Sequence, residues 1–391
     1  MSQSPATSQQ PATSQQRETR PVGVRRPAAA RRRALPRPVA FWLVGAITVV
    51  LLAASSAPTP LYPIYQLEFG FSSLTLTLVF AAYVLALLVM LLTVGRLSDH
   101  IGRRPVLAAA LVVEAVAMAT FAAGDSTTWL FVARVLQGLA TGAAIGVLGA
   151  FLLDLQPSDG SRLGSLVNSV GPTTGLAVGA AGTGVLVQYA PHPTRLVFVV
   201  LTAAFVLLAL AVAALPETVR PIPGAWAALR PRVAVPTAAR RAFAQASPIM
   251  AATWGLGGLV LSLGPSVLGS VLGLTDHAAV GLLIGAFAGS GALAGLIFRE
   301  VAPERLTLGG SLALVVGTAL FLAGLLASSL PVFVVALVVS GAGFGGGFLG
   351  SLRAVTQLAA PHERAALLSA VYVVSYLAFS IPAVVAGVFV T

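Results

Sequence analysis

Apolar segments of about 20 residues recur along nearly the whole length of this 391-residue chain. Each segment is long enough to cross the hydrocarbon core of a bilayer as a helix. Only 9% of the residues are charged, whereas a soluble domain carries about 25% charged residues. The segments are uniformly apolar, which excludes membrane strands, because such strands alternate in polarity and need only about ten residues. The sequence therefore predicts an all-α protein with many membrane spans.

Length and hydrophobicity place eleven spans along the chain. They are residues 39–58, 73–95, 105–124, 129–153, 163–188, 195–215, 247–273, 278–298, 307–327, 331–352 and 366–389. A connection rich in Pro and Arg separates six spans from five and is typical of an interdomain linker. We therefore expect a disordered cytoplasmic tail (1–38), a six-helix bundle (39–215), a cytoplasmic linker (216–246) and a five-helix bundle (247–391).

The basic residues indicate how the chain is oriented. All 23 are arginine, and with the tail inside, the predicted inner loops hold thirteen of them, while the outer side holds one, Arg195. This asymmetry satisfies the positive-inside rule and predicts a multi-pass protein of the cell membrane with a cytoplasmic N-terminus. The arginine-rich tail contains no interleaved aromatic residues, so we expect it to contact anionic lipid headgroups and not nucleic acid.

The two predicted bundles share a glycine pattern. Gly138 and Gly142 recur as Gly341 and Gly345, 203 positions later. This offset indicates an internal duplication. Parallel repeats of this kind are a known transporter plan, in which the substrate site lies at the midplane between the two halves.

Several kinds of chemistry are excluded by the composition. The chain has no cysteine and four scattered histidines, so we expect neither a metal site nor another cofactor. No lysine is present to bind phosphate, which argues against a Walker-type ATP site in the glycine-rich segment 343–347. No carboxylate pair or Ser/His/Asp arrangement emerges, so the sequence does not predict an enzyme.

Three short motifs carry a resemblance to a known family. The segment Gly95-Arg-Leu-Ser-Asp99-His-Ile-Gly102-Arg103-Arg104, between spans two and three, resembles the signature loop of the major facilitator superfamily. Arg134-Val-Leu-Gln137-Gly138 is similar to the R-x-x-Q-G motif of its proton-coupled members. Gly171-Pro172-Thr-Thr-Gly175 is similar to the core of the span-five motif in its drug:proton antiporters.

The resemblance implies a fold of two pseudo-symmetric helical bundles. It also implies that the signature loop forms a conformational switch, in which Gly95, Asp99, Gly102, Arg103 and Arg104 act with Asp154 to hold one state closed. We expect Asp99 to place its charge near a helix N-terminus of the other half, and Arg103 and Arg104 to pair with Asp154. The superfamily plan has twelve spans, so we expect this chain, with eleven, to lack the last one and to have its C-terminus outside.

Two charged residues, Glu114 and Arg134, lie within predicted spans. An unpaired charge at the bilayer centre costs about 2.5 to 3.5 kcal/mol or more, so each needs a partner or a water-filled cavity. Their heights in the two spans differ by about 7 Å at a rise of about 1.5 Å per residue, and we expect them to pair with each other. Two hypotheses remain open: Glu114 is a protonatable coupling carboxylate modulated by Arg134, or the two form a static ion pair.

Candidate residues for a substrate cavity combine an apolar body with one polar or helix-bending feature. They are Tyr62, Tyr65, Tyr83, Gln137, Asn168, Pro172, Trp254, Tyr372 and Tyr376. The first span contains no acidic residue, so we expect a neutral or amphipathic apolar substrate.

The features together predict a secondary active transporter that works by alternating access. We expect proton-coupled efflux by a monomer whose partners are the lipid bilayer, a small-molecule substrate and protons. A metabolite symporter or facilitator is the alternative within transport. A membrane receptor, or a remnant that no longer transports, is the alternative outside it.

Overall fold

The computed structural model describes residues 34–157, 163–360 and 362–389. Residues 1–33 of the expected tail lie outside the described residues. Arg162, an arginine of the predicted inner loops, also lies outside them. Fourteen α-helices are found in the described part of the chain. The first eight are α1 (Arg37–Ser56), α2 (Tyr62–Phe69), α3 (Ser73–Val94), α4 (Leu97–Ile101), α5 (Arg103–Ala123), α6 (Thr127–Leu155), α7 (Leu163–Tyr189) and α8 (Leu196–Val212). They are followed by α9 (Ala225–Ala228), α10 (Arg240–Ser270), α11 (His277–Ile297), α12 (Pro303–Leu326), α13 (Leu330–Thr356) and α14 (Arg364–Phe389).

Ten helical segments in the described residues are long and apolar enough to cross a membrane. The first of them, Arg37–Phe69, joins α1 and α2. The span expected at 195–215 is the apolar helix α8, which has 17 residues and is therefore about 26 Å long. It is slightly shorter than the hydrocarbon core of about 30 Å.

Two expected boundaries differ from the structure. Helix α1 begins at Arg37, inside the segment assigned to the tail, because Pro36 precedes it and Pro38 occupies its first turn, where proline favours a helix start. Helix α10 begins at Arg240, so the last seven residues of the expected linker are helical. The alanines and arginines around that start favour a helix, and their propensity outweighs the polar character of the segment.

Successive long helices cross in opposite directions, which defines two faces. We call the side on which α1 begins the near face and the opposite side the far face. At the near face Arg103, the first residue of α5, meets Asp154 near the end of α6. At the far face the Tyr65 hydroxyl donates to the carbonyl oxygen of Thr194, 3.3 Å away, just before α8.

Each half of the chain packs around one glycine-bearing helix. In the N-terminal half (α1–α8), α6 lies between α3 and α5; in the C-terminal half (α10–α14), α13 lies between α11 and α12. Gly138 and Gly142 face the backbone of α3, and Gly341 and Gly345 face the backbone of α11. The repeated glycines thus have the same packing role in both halves, since a side chain there would separate the helices.

The two halves meet chiefly where α7 packs against α11 and α3 packs against α14. Helices α7 and α11 approach most closely near the far face, where a Cβ atom on Gly184 would lie 2.7 Å from the Cα atom of Gly281. Towards the near face they pack less tightly but stay in contact, because a Cβ atom on Gly289 would lie 3.7 Å from the Cβ atom of Ala177 and one on Gly295 would lie 3.7 Å from Cγ2 of Val170. The α7–α11 pair therefore forms a wedge that is narrow at the far face.

Helices α3 and α14 also touch towards the far face. The rings of Phe80 and Phe379 lie with their centroids 5.1 Å apart, and Gly387 packs against Thr77 closer to the helix ends. Tightly packed contacts towards the far face thus join the halves through both helix pairs.

We predict that Gly184→Leu separates the halves at the far face. The new Cβ atom would lie 2.6 Å from the carbonyl oxygen of His277, and overpacking of this kind costs about 1–3 kcal/mol. The chain contains no cysteine, so Ala180→Cys provides a single thiol at a position buried beside this contact. We expect this thiol to react with maleimide much faster once Gly184→Leu is added.

Gly182→Leu is the matched control, because a Cβ atom on Gly182 meets nothing within 4 Å. Equal labelling of the thiol in both leucine variants would contradict the wedge-shaped packing of α7 and α11.

Candidate functional site

Arg134 is the centre of a polar network inside the N-terminal half. It is fully buried on α6, and its Nη1 donates to the carbonyl oxygen of Ser55, at 3.1 Å, and to Oε1 of Gln137, at 2.7 Å. Its Nη2 donates to the Tyr62 hydroxyl. Because Gln137 lies three residues after Arg134, both side chains share one face of α6.

Glu114 joins this network through a neutral side chain. Nε2 of Gln137 donates to Oε1 of Glu114 at 3.4 Å, and the Thr141 hydroxyl donates to Oε2 at 3.4 Å. Among the described residues, the ion pairs within 4.0 Å are two at Arg103 and one between Arg299 and Glu300. The expected direct pairing of Glu114 with Arg134 is therefore wrong. The Gln137 amide lies between the two charges, accepting from Arg134 and donating to Glu114.

Aromatic rings surround the guanidinium group. Its Cζ atom lies 5.5 Å from the ring centre of Tyr62, 5.2 Å from that of Tyr83 and 5.7 Å from that of Phe121. The electron-rich faces of such rings stabilise a cation when water is excluded. Tyr83 also donates to the Ser55 hydroxyl at 3.0 Å. Residues from α1, α2, α3, α5 and α6 thus meet at one buried cation.

Some members of this network escaped the sequence analysis. Ser55, Phe121 and Thr141 were not predicted to belong to a site. Thr141 follows Gln137 by one helical turn, so the spacing of polar residues along α6 was the available signal. Ser55 and Phe121 gave no comparable signal, because nothing in the sequence shows that α1 and α5 approach Arg134.

A second cluster forms at the near face, around the signature loop. Arg103 is 8% exposed, and its side chain pairs with Asp154 (Nε to Oδ2, 2.6 Å) and with Asp99 (Nη1 to Oδ1, 3.2 Å). The Thr218 hydroxyl donates to the same Asp154 oxygen at 2.7 Å. The cluster therefore connects α4, α5 and α6 with the start of the linker. The expected position of Asp99 at a helix of the other half is not seen, because Asp99 pairs within its own half.

Glu217 completes this near-face cluster, although the sequence analysis did not select it. Its carboxylate accepts from the backbone N–H groups of Arg103 and Arg104, at 3.0 and 3.1 Å. These are first-turn donors of α5, where a negative charge stabilises a helix. Gly102 has φ of +103°, and a Cβ atom there would lie 2.8 Å from Oε2 of Glu217. Only glycine allows this approach. The available signal was that Glu217 is the sole acidic residue of segment 216–246.

Arg104 differs from its neighbour. Its side chain donates to the carbonyl oxygen of Ala213 at the end of α8 and does not pair with Asp154. The expectation that both arginines pair with this aspartate is therefore correct only for Arg103. Gly95 ends α3 on the same side of the membrane as this cluster.

The remaining cavity candidates divide into two groups. Trp254, Tyr372 and Tyr376 come together between α10 and α14, with the rings of Trp254 and Tyr376 5.0 Å apart. Asn168 is exposed on α7 and faces Gly149 of α6, and Pro172 is half-buried one turn further along α7. These two residues belong neither to the Arg134 network nor to the Trp254 group.

Comparison with known proteins agrees with this architecture. Over residues 38–383 the sequence matches the Major Facilitator Superfamily. It is similar to Citrate exporter 1 of Aspergillus niger, with 32% identity over 132 residues, covering 33% of this chain and 25% of that protein. It is also similar to the quinolone resistance protein NorA of Staphylococcus aureus, with 26% identity over 99 residues, covering 25% and 26%. The matches therefore span about a quarter of these curated relatives.

Solved structures share the fold over a larger part of the chain. A bacterial homologue of the human lysosomal transporter Spinster, in an inward-facing and unoccupied conformation, has a TM-score of 0.69 at 18% identity. That likeness covers 90% of this chain and 82% of the other. The nucleoside transporter NupG has a TM-score of 0.65 at 15% identity, covering 89% and 90%. Since the family match runs from α1 to α14 and the fold is that of solved transporters, the chain belongs to the Major Facilitator Superfamily and is a membrane transporter, not an enzyme.

Proposed function

We propose that this transporter exports small apolar or amphipathic compounds in exchange for protons, by alternating access between its two halves. The observation that carries the proposal is Glu114, a fully buried acid held by neutral donors beside a buried cation. Three further features support the proposal. A small cavity bears on the route of the proton, the packing of α7 against α11 bears on the side from which the substrate enters, and the cluster around Arg103 bears on how the N-terminal half moves.

Glu114 is suited to exchanging a proton without rebuilding its surroundings. Both of its hydrogen bonds are long, at 3.4 Å. The Thr141 hydroxyl can donate to the carboxylate or accept from the protonated acid. Arg134 keeps its charge in either case, so protonation changes the net charge of the buried network by one. A change of this kind biases the equilibrium between two conformations if they bind the proton with different affinity.

A small cavity supports proton access from the far face. Its volume is about 30 Å³, and it is lined by residues that include Glu68, Asp125 and Arg195 together with Tyr65 and Phe121. A site of this size and polarity can hold a water molecule. Phe121 also packs beside Arg134, so this ring lines the cavity and borders the buried network.

The shape of the wedge supports entry of the substrate from the near face. The halves are packed most tightly towards the far face, and α7 and α11 pack less tightly towards the near face. The arginine distribution favours a cytoplasmic near face. A compound that enters there and leaves after the halves rock about the midplane is exported. An exporter and a resistance protein are among the relatives with partial matches.

The near-face cluster supports movement of the N-terminal half as one body. Arg103 joins α4, α5 and α6 through two carboxylates, and Glu217 attaches the linker to the start of α5. When the halves rock, these contacts keep the near ends of the helices together. This assigns Asp99, Arg103 and Asp154 to the conformational switch.

We predict that Glu114→Gln abolishes proton-driven export. The amide has the size of the acid but takes up no proton, so the coupling step is lost while the packing is kept. Cells that lack their own efflux pumps and are loaded with Nile red, a neutral amphipathic dye, measure export directly. We expect at least a tenfold lower rate of dye efflux, similar to that of the wild type treated with a protonophore.

Glu304→Gln is the matched control, because Glu304 is an exposed acid in the first turn of α12. It should export Nile red at the wild-type rate. Efflux by Glu114→Gln that is still stopped by a protonophore would refute the coupling role and leave a static structural role for this residue.

We also predict that two adjacent arginines have different effects on the rate. Arg103→Gln removes both ion pairs of the near-face cluster, in which the Arg103 side chain is 10% exposed and the Asp154 side chain 31% exposed, so α4, α5 and α6 lose the cation that they share. We expect at least a tenfold slower Nile red efflux at equal protein level in the membrane. Arg104→Gln removes only a contact to a carbonyl oxygen at the surface and should change the rate less than twofold. Equal effects of the two substitutions would show that only the positive charge of this loop matters.

A further inference from the structure

Trp254 stands at the centre of an aromatic cluster in the C-terminal half. Its ring centre lies 5.9 Å from that of Phe344, 5.2 Å from Phe348, 5.0 Å from Tyr376 and 5.3 Å from Phe379. The angles between the planes run from 62° to 78°, so none of these four rings is stacked parallel to the indole. Helices α10, α13 and α14 each contribute to this Trp254 cluster.

The indole N–H of Trp254 is buried without a hydrogen-bond partner. This group is only a donor, and a buried donor without an acceptor costs about 1–3 kcal/mol. The hydroxyl groups of Ser351 on α13 and Ser375 on α14 are also buried without a partner. Among the described residues, the three helices that build the aromatic cluster thus contain three of the five buried side-chain polar atoms without a partner; the other two are Nε of Arg104 and Nε of Arg134.

The surroundings of the cluster carry no charge. The membrane-crossing parts of the C-terminal half, residues 247–273, 278–298, 306–352 and 366–389, contain no Asp, Glu, Lys or Arg; Asp276 lies between the first two, at the far-face start of α11. The two charges within the spans, Glu114 and Arg134, belong to the N-terminal half. An ionised ligand at Trp254 would therefore leave water without gaining a counter-charge.

The cluster lies at mid-depth, next to the contact that closes the halves. Trp254 is the fifteenth residue of α10, a helix of 31 residues. Phe379 packs against Trp254 on one side and against Phe80 of α3 on the other. Tyr83 follows Phe80 by three residues on α3, and its ring faces Arg134. A molecule bound at Trp254 is therefore connected to the buried cation through Phe379 and this part of α3.

We infer that the Trp254 cluster is the binding site for an uncharged, planar aromatic molecule that carries a hydrogen-bond acceptor, which takes the free indole N–H. The rings supply apolar contact, and the absence of charge excludes ions. The inference rests on the proposed function in that such a molecule would be the exported compound. Binding itself requires no proton gradient.

The test compares two ligands with the same skeleton, 9-fluorenone and fluorene, which differ in a carbonyl group. The full chain in lipid nanodiscs is titrated by calorimetry at one pH, and the signal of empty nanodiscs is subtracted. We expect the wild type to bind 9-fluorenone about tenfold more tightly than fluorene, the ratio expected from one hydrogen bond in a site without water. Trp254→Phe keeps an aromatic ring and removes the N–H. It should bring 9-fluorenone to the affinity of fluorene and leave fluorene nearly unchanged.

Trp129→Phe is the control, because Trp129 is 48% exposed on α6 and should not change either affinity. The inference is overturned if wild-type protein shows no saturable binding of 9-fluorenone above empty nanodiscs, or binds both ligands equally. It is also overturned if Trp254→Phe keeps the preference or weakens both ligands alike. The titration uses no pH gradient and compares two ligands on the same protein, so a failure of the proton-coupling proposal would leave both the preference for 9-fluorenone and its loss in Trp254→Phe unchanged.

Discussion

The hydrocarbon core contains no water, so a polar group placed there by the sequence must find its partner inside the protein. Arg134 is the largest fully buried side chain among the described residues, and it carries a charge. Its two Nη atoms donate to the Ser55 carbonyl, the Gln137 amide and the Tyr62 hydroxyl, and three aromatic rings surround the group, while its Nε has no hydrogen-bond partner among the described residues. Five helices of the N-terminal half have to assemble around this one side chain, and the position of Glu114 follows from that assembly.

The same constraint gives the two halves different characters. Glycine pairs at equivalent positions let α6 pack on α3 and α13 pack on α11, so the backbones are built alike. Their interiors differ, because one holds a cation and an acid while the other holds uncharged side chains around Trp254. The halves touch near both interiors, through Phe80 and Phe379. A change in the charge of the Arg134 network in one half and binding of a molecule at Trp254 in the other would therefore both act on the contact between Phe80 and Phe379.

Much of the fold was predictable because each span is a run of apolar residues whose length is set by the bilayer. The helix ends were less predictable, as Arg37 and Arg240 show, because proline position and helix propensity act there against a polar composition. For the site, the spacing of Arg134 and Gln137 on α6 was informative. The height of Glu114 along its helix suggested a direct ion pair with Arg134. The rise per residue gives the height of a side chain but not its direction around the helix, so it could not reveal that the Gln137 amide lies between the two charges. Glu217 was missed because nothing local shows that the linker returns to the start of α5.

The unequal distribution of charge also has an evolutionary consequence. Substitutions among the uncharged side chains of α10, α13 and α14 can reshape what is recognised, while the energetics of the Arg134 network stay as they are. A gene duplication that began with two equal copies thus allows one copy to diversify under selection while the other is held constant. Variation within the C-terminal half is then the route by which such a chain acquires new cargo.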